Sequence, residues 1–459
     1  LLAAAFHGGC GSSSSNPSAG SATPPGAVGP DADGGGLDGD GSTTGPGNDG
    51  GTTLEAGAAC SPASWSHVSP TTFTGDHLNQ RPASWLAVTT GADDAVYATG
   101  RHSGSADLGD GAKGSATASS MRLAKWNKDG SVAWSKTYDA QYATAGSAVV
   151  SDPSGGVYFG GAVEGTLALG DGKSVQGASL NPKAFVAKVG ATGQIAWALT
   201  LTDNDERIEN LVLSGSKLFA LVANYPGTYE PEKTADGYRV ARINAATGTL
   251  EDTTFLSGLY YPLQNQHPKL AASPDGGVFV SYQTQNGLND YPAQLVKIDA
   301  ASAVSWTRSF SANVPGAAPH FAILDIAADG AGGVVAITAG ELAGYEDPSV
   351  SRYDASGTLS WSRKIEGLPD ATTYGGVGIV GGVIRVLGIP DTATCGMSDV
   401  AEWTFSMTGV AGATSHHPFA QTIDTTYYPF HASFGPTTAA LTGTLFSSYT
   451  LLSTQFPLP

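Results

Sequence analysis

Cationic residues are scarce in this chain: 22 Lys and Arg stand against 40 Asp and Glu in 459 residues, for a net charge of −18. That excludes nucleic acid as a partner, because holding a phosphate backbone requires a Lys/Arg-rich surface. Cysteine is nearly absent as well. Cys10, Cys60 and Cys395 lie too far apart for zinc or iron–sulfur spacing, which needs clustered Cys and His, so no metal and no other cofactor is expected. No run of 18 apolar residues occurs, so no helical membrane span is expected. Charged residues make up only 14%, whereas glycine numbers 62. A chain poor in charge and rich in turn-formers points to an all-β fold.

What is present is a repeat. "KWNKDGSVAW" ends at Trp134, "KVGATGQIAW" at Trp197, "KIDAASAVSW" at Trp306 and "RYDASGTLSW" at Trp361. Two worn copies follow the same frame, "ARINAATGTLEDTTF" from Ala241 and "WTFSMTGVAG" from Trp403. The turn positions 130, 193, 248, 302, 357 and 409 are 52 to 63 residues apart, the period of propeller blades. A second apolar hairpin precedes each frame, with later strands such as "AVYATG" from Ala95, "GVYFGG" from Gly156 and "GVFVSY" from Gly277. Each unit therefore contains four strands, A to D, and the expected fold is an all-β, seven-bladed β-propeller. The seventh unit, "HASFG", "TAALTG" and "SYTLLSTQF", has no D strand. "SWSHVSPTTF" at 64–73 has the Trp-led look of one, and supplying it would close the last blade and leave no long unpaired edge.

These units resemble the bacterial seven-bladed β-propeller (SBBP) repeat of secreted proteins and lipoproteins, best over residues 155–201. The resemblance implies a fold and an exported location, and no single activity. "AKVGATGQIAW" is also similar to the Trp-docking motif of pyrroloquinoline-quinone dehydrogenases, without a vicinal Cys pair or a Glu–Asn–Asp metal set. The sialidase Asp-box occupies the same turn, but there Trp follows Gly by three residues. Here Trp134, Trp197 and Trp361 follow by four. The Trp residues are accordingly expected to pack between blades.

The start, "LLAAAFHGGC", resembles the end of a bacterial lipoprotein signal peptide, with an apolar run, Gly8 and Gly9 before Cys10, and His7 where that motif has Leu. Residues 1–10 are read as the remnant of that peptide with Cys10 as the lipidated residue. Gly11 in the next position implies the outer membrane or cell surface of a Gram-negative-type bacterium. Residues 11–63, mostly Gly, Ser, Ala, Pro, Thr and Asp, read as a disordered linker of ~40 Å reach, and residues 64–459 as the propeller. Asp31, Asp33, Asp38 and Asp40 faintly resemble a calcium loop, but the sixth-position Gly and flanking helices are missing. Cys60 and Cys395 are an even pair in an oxidising compartment, and a disulfide between them would pin the closing strand.

Functional residues are harder to find. No His, Ser or Cys stands in a nucleophile or metal motif, so no catalytic residue is assigned. Lys125, Lys188, Arg242, Lys297 and Arg352 recur at one C-strand position; they either ring an anion or pair with acidic turns of a neighbouring blade such as Asp152, Asp275 or Asp329. The longest connections, D–A and B–C, open on one face and carry Tyr225, Tyr229, Tyr260, Tyr261, Tyr291, Tyr345, Tyr427 and Tyr428. Tyr-rich loops on a rigid scaffold suit recognition; the alternative is that they cap the blade ends. The expectation is a monomeric, non-enzymatic binding or scaffold module for protein or glycan, touching the membrane only through its lipid anchor. The rival is a lyase, glycosidase or quinoprotein enzyme with acid–base residues in an axial funnel.

Overall fold

The structure, a computed structural model, describes residues 65–69, 71–72, 83–102, 105–107, 112–113, 120–178, 181–201, 206–224, 237–256, 268–284, 292–310, 321–340, 346–368, 374–390, 398–419, 431–444 and 451–457. Among them the regular elements are strands, and 28 of these strands form seven four-stranded antiparallel sheets. Sheet 1 contains Ala83–Thr90, Val96–His102, Ser120–Trp126 and Val132–Tyr138. Sheet 2 contains Ala143–Ser151, Val157–Glu164, Lys183–Val189 and Ile195–Thr200. Sheet 3 contains Glu206–Ser214, Lys217–Asn224, Tyr238–Asn244 and Leu250–Leu256. Sheet 4 contains Lys269–Ala272, Val278–Gln283, Ala293–Ile298 and Val304–Phe310. Sheet 5 contains Phe321–Ala328, Val334–Gly340, Glu346–Tyr353 and Leu359–Lys364. Sheet 6 contains Tyr374–Val380, Val383–Gly388, Ser398–Ser406 and Ala411–Phe419. Sheet 7 contains His431–Phe434, Thr438–Thr444 and Leu451–Pro457, and its fourth strand is Trp65–Ser69 from the other end of the chain.

Burial follows position within a sheet. In sheet 4 the second and third strands are buried at every residue, while the fourth is mostly exposed. A strand covered on both faces reads as a near-continuous apolar run, which is why "GVFVSY" lacks the alternation of a one-sided sheet. The core lies between sheets: Ala148, Tyr158 and Trp197 of sheet 2 cluster with Ile208, Leu218 and Ile243 of sheet 3. The first strand of each sheet lies against the first strand of the next, and that of sheet 7 against that of sheet 1.

The recurrent Trp joins successive sheets. Trp197 Nε1 donates to Ala245 O at 3.1 Å, Trp306 Nε1 to Ala355 O at 3.0 Å and Trp361 Nε1 to Met407 O at 3.0 Å, each acceptor lying in the turn between third and fourth strands of a following sheet. The indole covers that turn's glycine. A Cβ on Gly248, Gly357 or Gly409 would stand 2.5, 2.8 or 2.7 Å from the ring, and all three have positive φ. Sheet 3 breaks the pattern, because Asp252 occupies the Trp position opposite Arg242. The turn it meets in sheet 4 has Ser302 in place of glycine, at φ 68°. With no indole overhead, a side chain fits there. Arg242 Nη1 takes over the turn carbonyl, donating to Ala300 O at 2.6 Å, and Thr254 Oγ1 donates to Ser302 O at 2.7 Å.

At sheet 7, Trp65 pairs with Gln455, which in turn pairs with Ala440. This is the register in which Trp197, Lys188 and Tyr158 align in sheet 2. Thr71–Thr72 does not continue this strand; it pairs with Ser105–Asp107, in a small sheet that also contains Ala112–Lys113. Between sheets 7 and 1, Asp94 accepts hydrogen bonds from Thr437 N (3.1 Å), Thr437 Oγ1 (2.5 Å), Thr438 Oγ1 (2.9 Å) and Lys128 Nζ (2.7 Å). Burial pushes the Asp94 carboxyl up, but these donors overcome it and hold its pKa at about 2.

Two outcomes follow. Gly357→Ala is expected to cost about 2–4 kcal/mol in urea unfolding, from positive φ and the Trp306 overlap, whereas Ser302→Ala changes stability by less than about 1 kcal/mol. Because the Asp94 pKa is depressed, its contribution is complete above the ordinary value of 3.8 and lost as pH falls through about 2. The stability gap between the native chain and Asp94→Asn is thus expected to shrink between about pH 5 and pH 2; a constant gap would contradict the assignment.

Candidate functional site

All eight Tyr residues expected to bind ligand lie outside the described residues, as do Cys10, Cys60, Cys395, the four linker aspartates, His267 and His320. The described site is therefore built from the strands themselves.

The repeated cation does not reach a neighbouring sheet's acidic turn; it pairs within its own sheet. Lys188 Nζ lies 2.5 Å from Asp152, Lys297 Nζ 2.7 Å from Asp275, Arg352 Nη2 2.8 Å from Asp329 and Lys125 Nζ 3.8 Å from Asp93. Each aspartate belongs to the turn between the first and second strands. The register explains this, since Lys188 stands directly opposite Tyr158 on the second strand, next to that turn. The ammonium also lies over an aromatic ring: Lys188 over Tyr158 at 4.9 Å, Lys125 over Tyr97 at 5.0 Å and Lys297 over Phe279 at 5.5 Å. Stem and charge are both used. Burial would raise Asp152, yet Lys188, Ser154 and Tyr158 hold its carboxyl well below the usual carboxylate range.

In sheet 6 the cation moves. Arg385 takes the aromatic position, pairs with Glu402 at 2.5 Å, and His417 Nε2 stands 3.7 Å from the same carboxylate. All three are buried. Sheet 3 carries a second buried pair, in which Arg239 donates to both oxygens of Glu206 at 2.8 and 2.5 Å. Buried pairs of this kind contribute little net stability, but removing one partner leaves an uncompensated buried charge.

The first strands hold what the sequence reading missed. Cross-strand pairing places Ala87, Ala148, Asn210, Lys269, Asp325, Gly376 and His431 at one level of the seven first strands. In sheets 1, 2, 3, 5 and 6 a register shift immediately precedes that level, and a bulge re-aims the side chain that follows it. Asp325 shows the direction: its Oδ2 accepts the Val377 N–H at 3.1 Å and the Tyr374 hydroxyl at 3.4 Å, both on sheet 6. Burial pushes the Asp325 carboxyl up, opposed by the Lys269 charge and these donors. Asp325, Lys269 and Asn210 are half-buried. Among the described residues, the Lys269 and Asn210 side chains make no hydrogen bond and no ion pair. The signal for this level was present, four residues before the first residue of each first turn, but it needs the strand register to be seen.

The opposite end of the first strands opens into a cavity of about 360 Å3 lined by Ser214, Gly215, Ser273, Pro274, Ala328 and Gly330, among others. Ser214 Oγ donates there to Ser273 O at 3.1 Å. Small side chains and backbone offer it shape and little chemistry. Among the described residues no group of three His, Cys, Asp or Glu could hold a metal ion.

No protein-family model matches the chain, and no curated protein matches it. Among solved structures it is similar to an acylaminoacyl peptidase of Pyrococcus horikoshii at 12% identity and TM-score 0.46, with 85% of this chain and 53% of that one covered. It thus spans about half the length of that peptidase. The β-propeller domain of the Trilobed protease of Pyrococcus furiosus gives 9% identity and TM-score 0.44, covering 83% and 96%. An endosialidase of phage phi92 gives 9% and 0.42, covering 86% and 69%.

A double-mutant cycle checks the cation assignment. Lys188→Met with Asp152→Asn is expected to show a coupling of about 1–3 kcal/mol, and Lys188→Met with Asp275→Asn to be additive within about 0.5 kcal/mol.

Proposed function

We propose that the chain is a closed seven-bladed β-propeller of the SBBP type that works as a binding or scaffold module, exported and tethered through a lipid on Cys10, with a protein or glycan as its ligand. The closed ring is supported by the cyclic order of first strands and by the in-register pairing of Trp65–Ser69 with Leu451–Pro457. Tether and location rest on "LLAAAFHGGC" and the Gly/Ser/Pro-rich segment that follows it.

One observation carries the binding reading. The repeated residues are spent at one end of the sheets, where Trp covers the following turn and Lys or Arg neutralises Asp. The antiparallel order puts the D–A and B–C connections at the other end, and those connections contain Tyr225, Tyr229, Tyr260, Tyr261, Tyr291, Tyr345, Tyr427 and Tyr428. A rigid frame with its variable, aromatic segments gathered at one end is the arrangement of a recognition surface. The enzyme reading rests on Asp325, whose raised carboxyl could serve as an acid; it meets Tyr374 and the Lys269 charge. A binding group needs no second acid–base partner, which favours the first reading.

The test is capture of glycans and secreted proteins by the full chain and by a variant with Tyr260, Tyr261, Tyr427 and Tyr428 changed to Ala. The variant is expected to lose at least about tenfold of the captured material, as removal of hot-spot aromatics does. Retention equal to the native chain would exclude the proposed face.

A further inference from the structure

The half-buried level of the first strands carries polar groups that the fold does not consume. Lys188, Lys297, Arg352, Arg239 and Arg385 each meet a carboxylate within 2.8 Å. Lys269 meets none at hydrogen-bonding distance, although its charge acts on Asp325. Asn210, at the same level one sheet earlier, has its amide unused as well. Ordering a lysine stem and an asparagine in a half-buried layer without hydrogen bonds costs entropy and solvation. Side chains at this level face the following sheet, as Asp325 does toward sheet 6. Gly376 keeps that direction, since a Cβ there would stand 3.0 Å from Ala432. Asn210, Lys269 and Asp325 thus form an arc over three consecutive sheets. The other positions of the level are Ala87, Ala148, Gly376 and His431, of which the first three add little bulk beside it.

We propose that Asn210, Lys269 and Asp325 form a subsite for a sugar bearing a carboxylate, a uronic-acid type of residue; this deepens the glycan branch of the proposed function and rests on it. The ammonium of Lys269 takes the ligand carboxylate as a charge-assisted hydrogen bond. The Asn210 amide, with one donor group and one acceptor, suits vicinal hydroxyls. The free lone pairs of Asp325 accept from a further hydroxyl, while Val377 N and Tyr374 hold the carboxyl in place. The first strands run toward this level from the end where the Tyr-bearing connections join them, so a longer glycan held there can present its acidic terminus to the arc.

The experiment is calorimetric titration of the full chain with D-glucuronate, its methyl ester and acetate. Glucuronate is expected to bind with a Kd in the millimolar range, and the ester and acetate at least about tenfold more weakly, the loss of one charge-assisted bond or of the hydroxyl contacts. Lys269→Gln should weaken glucuronate about tenfold and leave the ester unchanged; Asn210→Ala should weaken both. Thermal unfolding of each variant shows that it remains folded. Absence of saturable glucuronate binding, equal affinity for glucuronate and ester, or a Lys269→Gln variant that binds like the native chain overturns the subsite. Acetate binding as tightly as glucuronate overturns the sugar. Tyr-dependent glycan capture without glucuronate binding sinks the subsite alone, whereas glucuronate binding without Tyr-dependent capture sinks the Tyr face alone.

Discussion

An indole laid over a turn glycine, with its N–H on the carbonyl of that turn, is the interaction on which the rest of the molecule depends. A four-stranded sheet has two apolar faces and cannot bury either by itself. Burial is supplied by the next sheet, and the Trp fixes how far the two can slide or splay. Dispersion and burial give the attraction, and at Trp197, Trp306 and Trp361 the N–H bond adds direction; the buried Nε1 of Trp134 has no acceptor among the described residues, so that indole holds its sheets by burial alone. The junction between sheets 3 and 4 shows the requirement is for a donor and a cover, not for Trp as such. Asp252 replaces the ring, Ser302 replaces the glycine, and Arg242 reaches the carbonyl of Ala300. At Gly248, Gly357 and Gly409 the indole leaves no space for a Cβ, and at the junction of sheets 3 and 4, where the indole is missing, the glycine is replaced as well.

The second constraint is local neutrality. Twenty-two cations must serve forty carboxylates, and the frame places one cation beside one aspartate in four of its sheets. The longest of the four contacts belongs to the most exposed aspartate, Asp93, whereas Asp152, held below the ordinary carboxylate range, is bonded to Lys188, Ser154 and Tyr158 together. The rings of Tyr97, Tyr158 and Phe279 floor the same cations. Turn, strand pair and aromatic core are thereby coupled through one side chain.

Much of the fold was legible in the sequence because both of its periods are local. Two-residue alternation and apolar runs marked the strands, and the spacing of turn glycines marked the units; "SWSHVS" could be assigned to the last unit because its Trp repeats the frame. Partner choice was not legible. The expected partner of Lys188 was an anion or an aspartate of a neighbouring unit; its aspartate is one of its own unit, and only the pairing of Lys188 with Tyr158 reveals this. The level of Asn210, Lys269 and Asp325 was hidden for a related reason. Six different residue types share a position that a bulge displaces by one residue in most sheets, so no motif survives, and the level exists only as geometry.

The strand Trp65–Ser69 has a consequence for the order of events in synthesis. Pairing Trp65 with Gln455 joins positions 390 residues apart (455 − 65), a loop whose closure entropy grows to about 5 kcal/mol above a constant. A ribosome delivers this strand before those of sheets 1 to 6 and its partner after them. Through nearly the whole of elongation Trp65–Ser69 has no sheet to enter, while sheets 1 to 6 can each assemble from neighbouring segments as they emerge. Trp65–Ser69 is therefore made before sheets 1 to 6 yet can pair only after them, so the seventh sheet is finished only once its last strand, Leu451–Pro457, has been made.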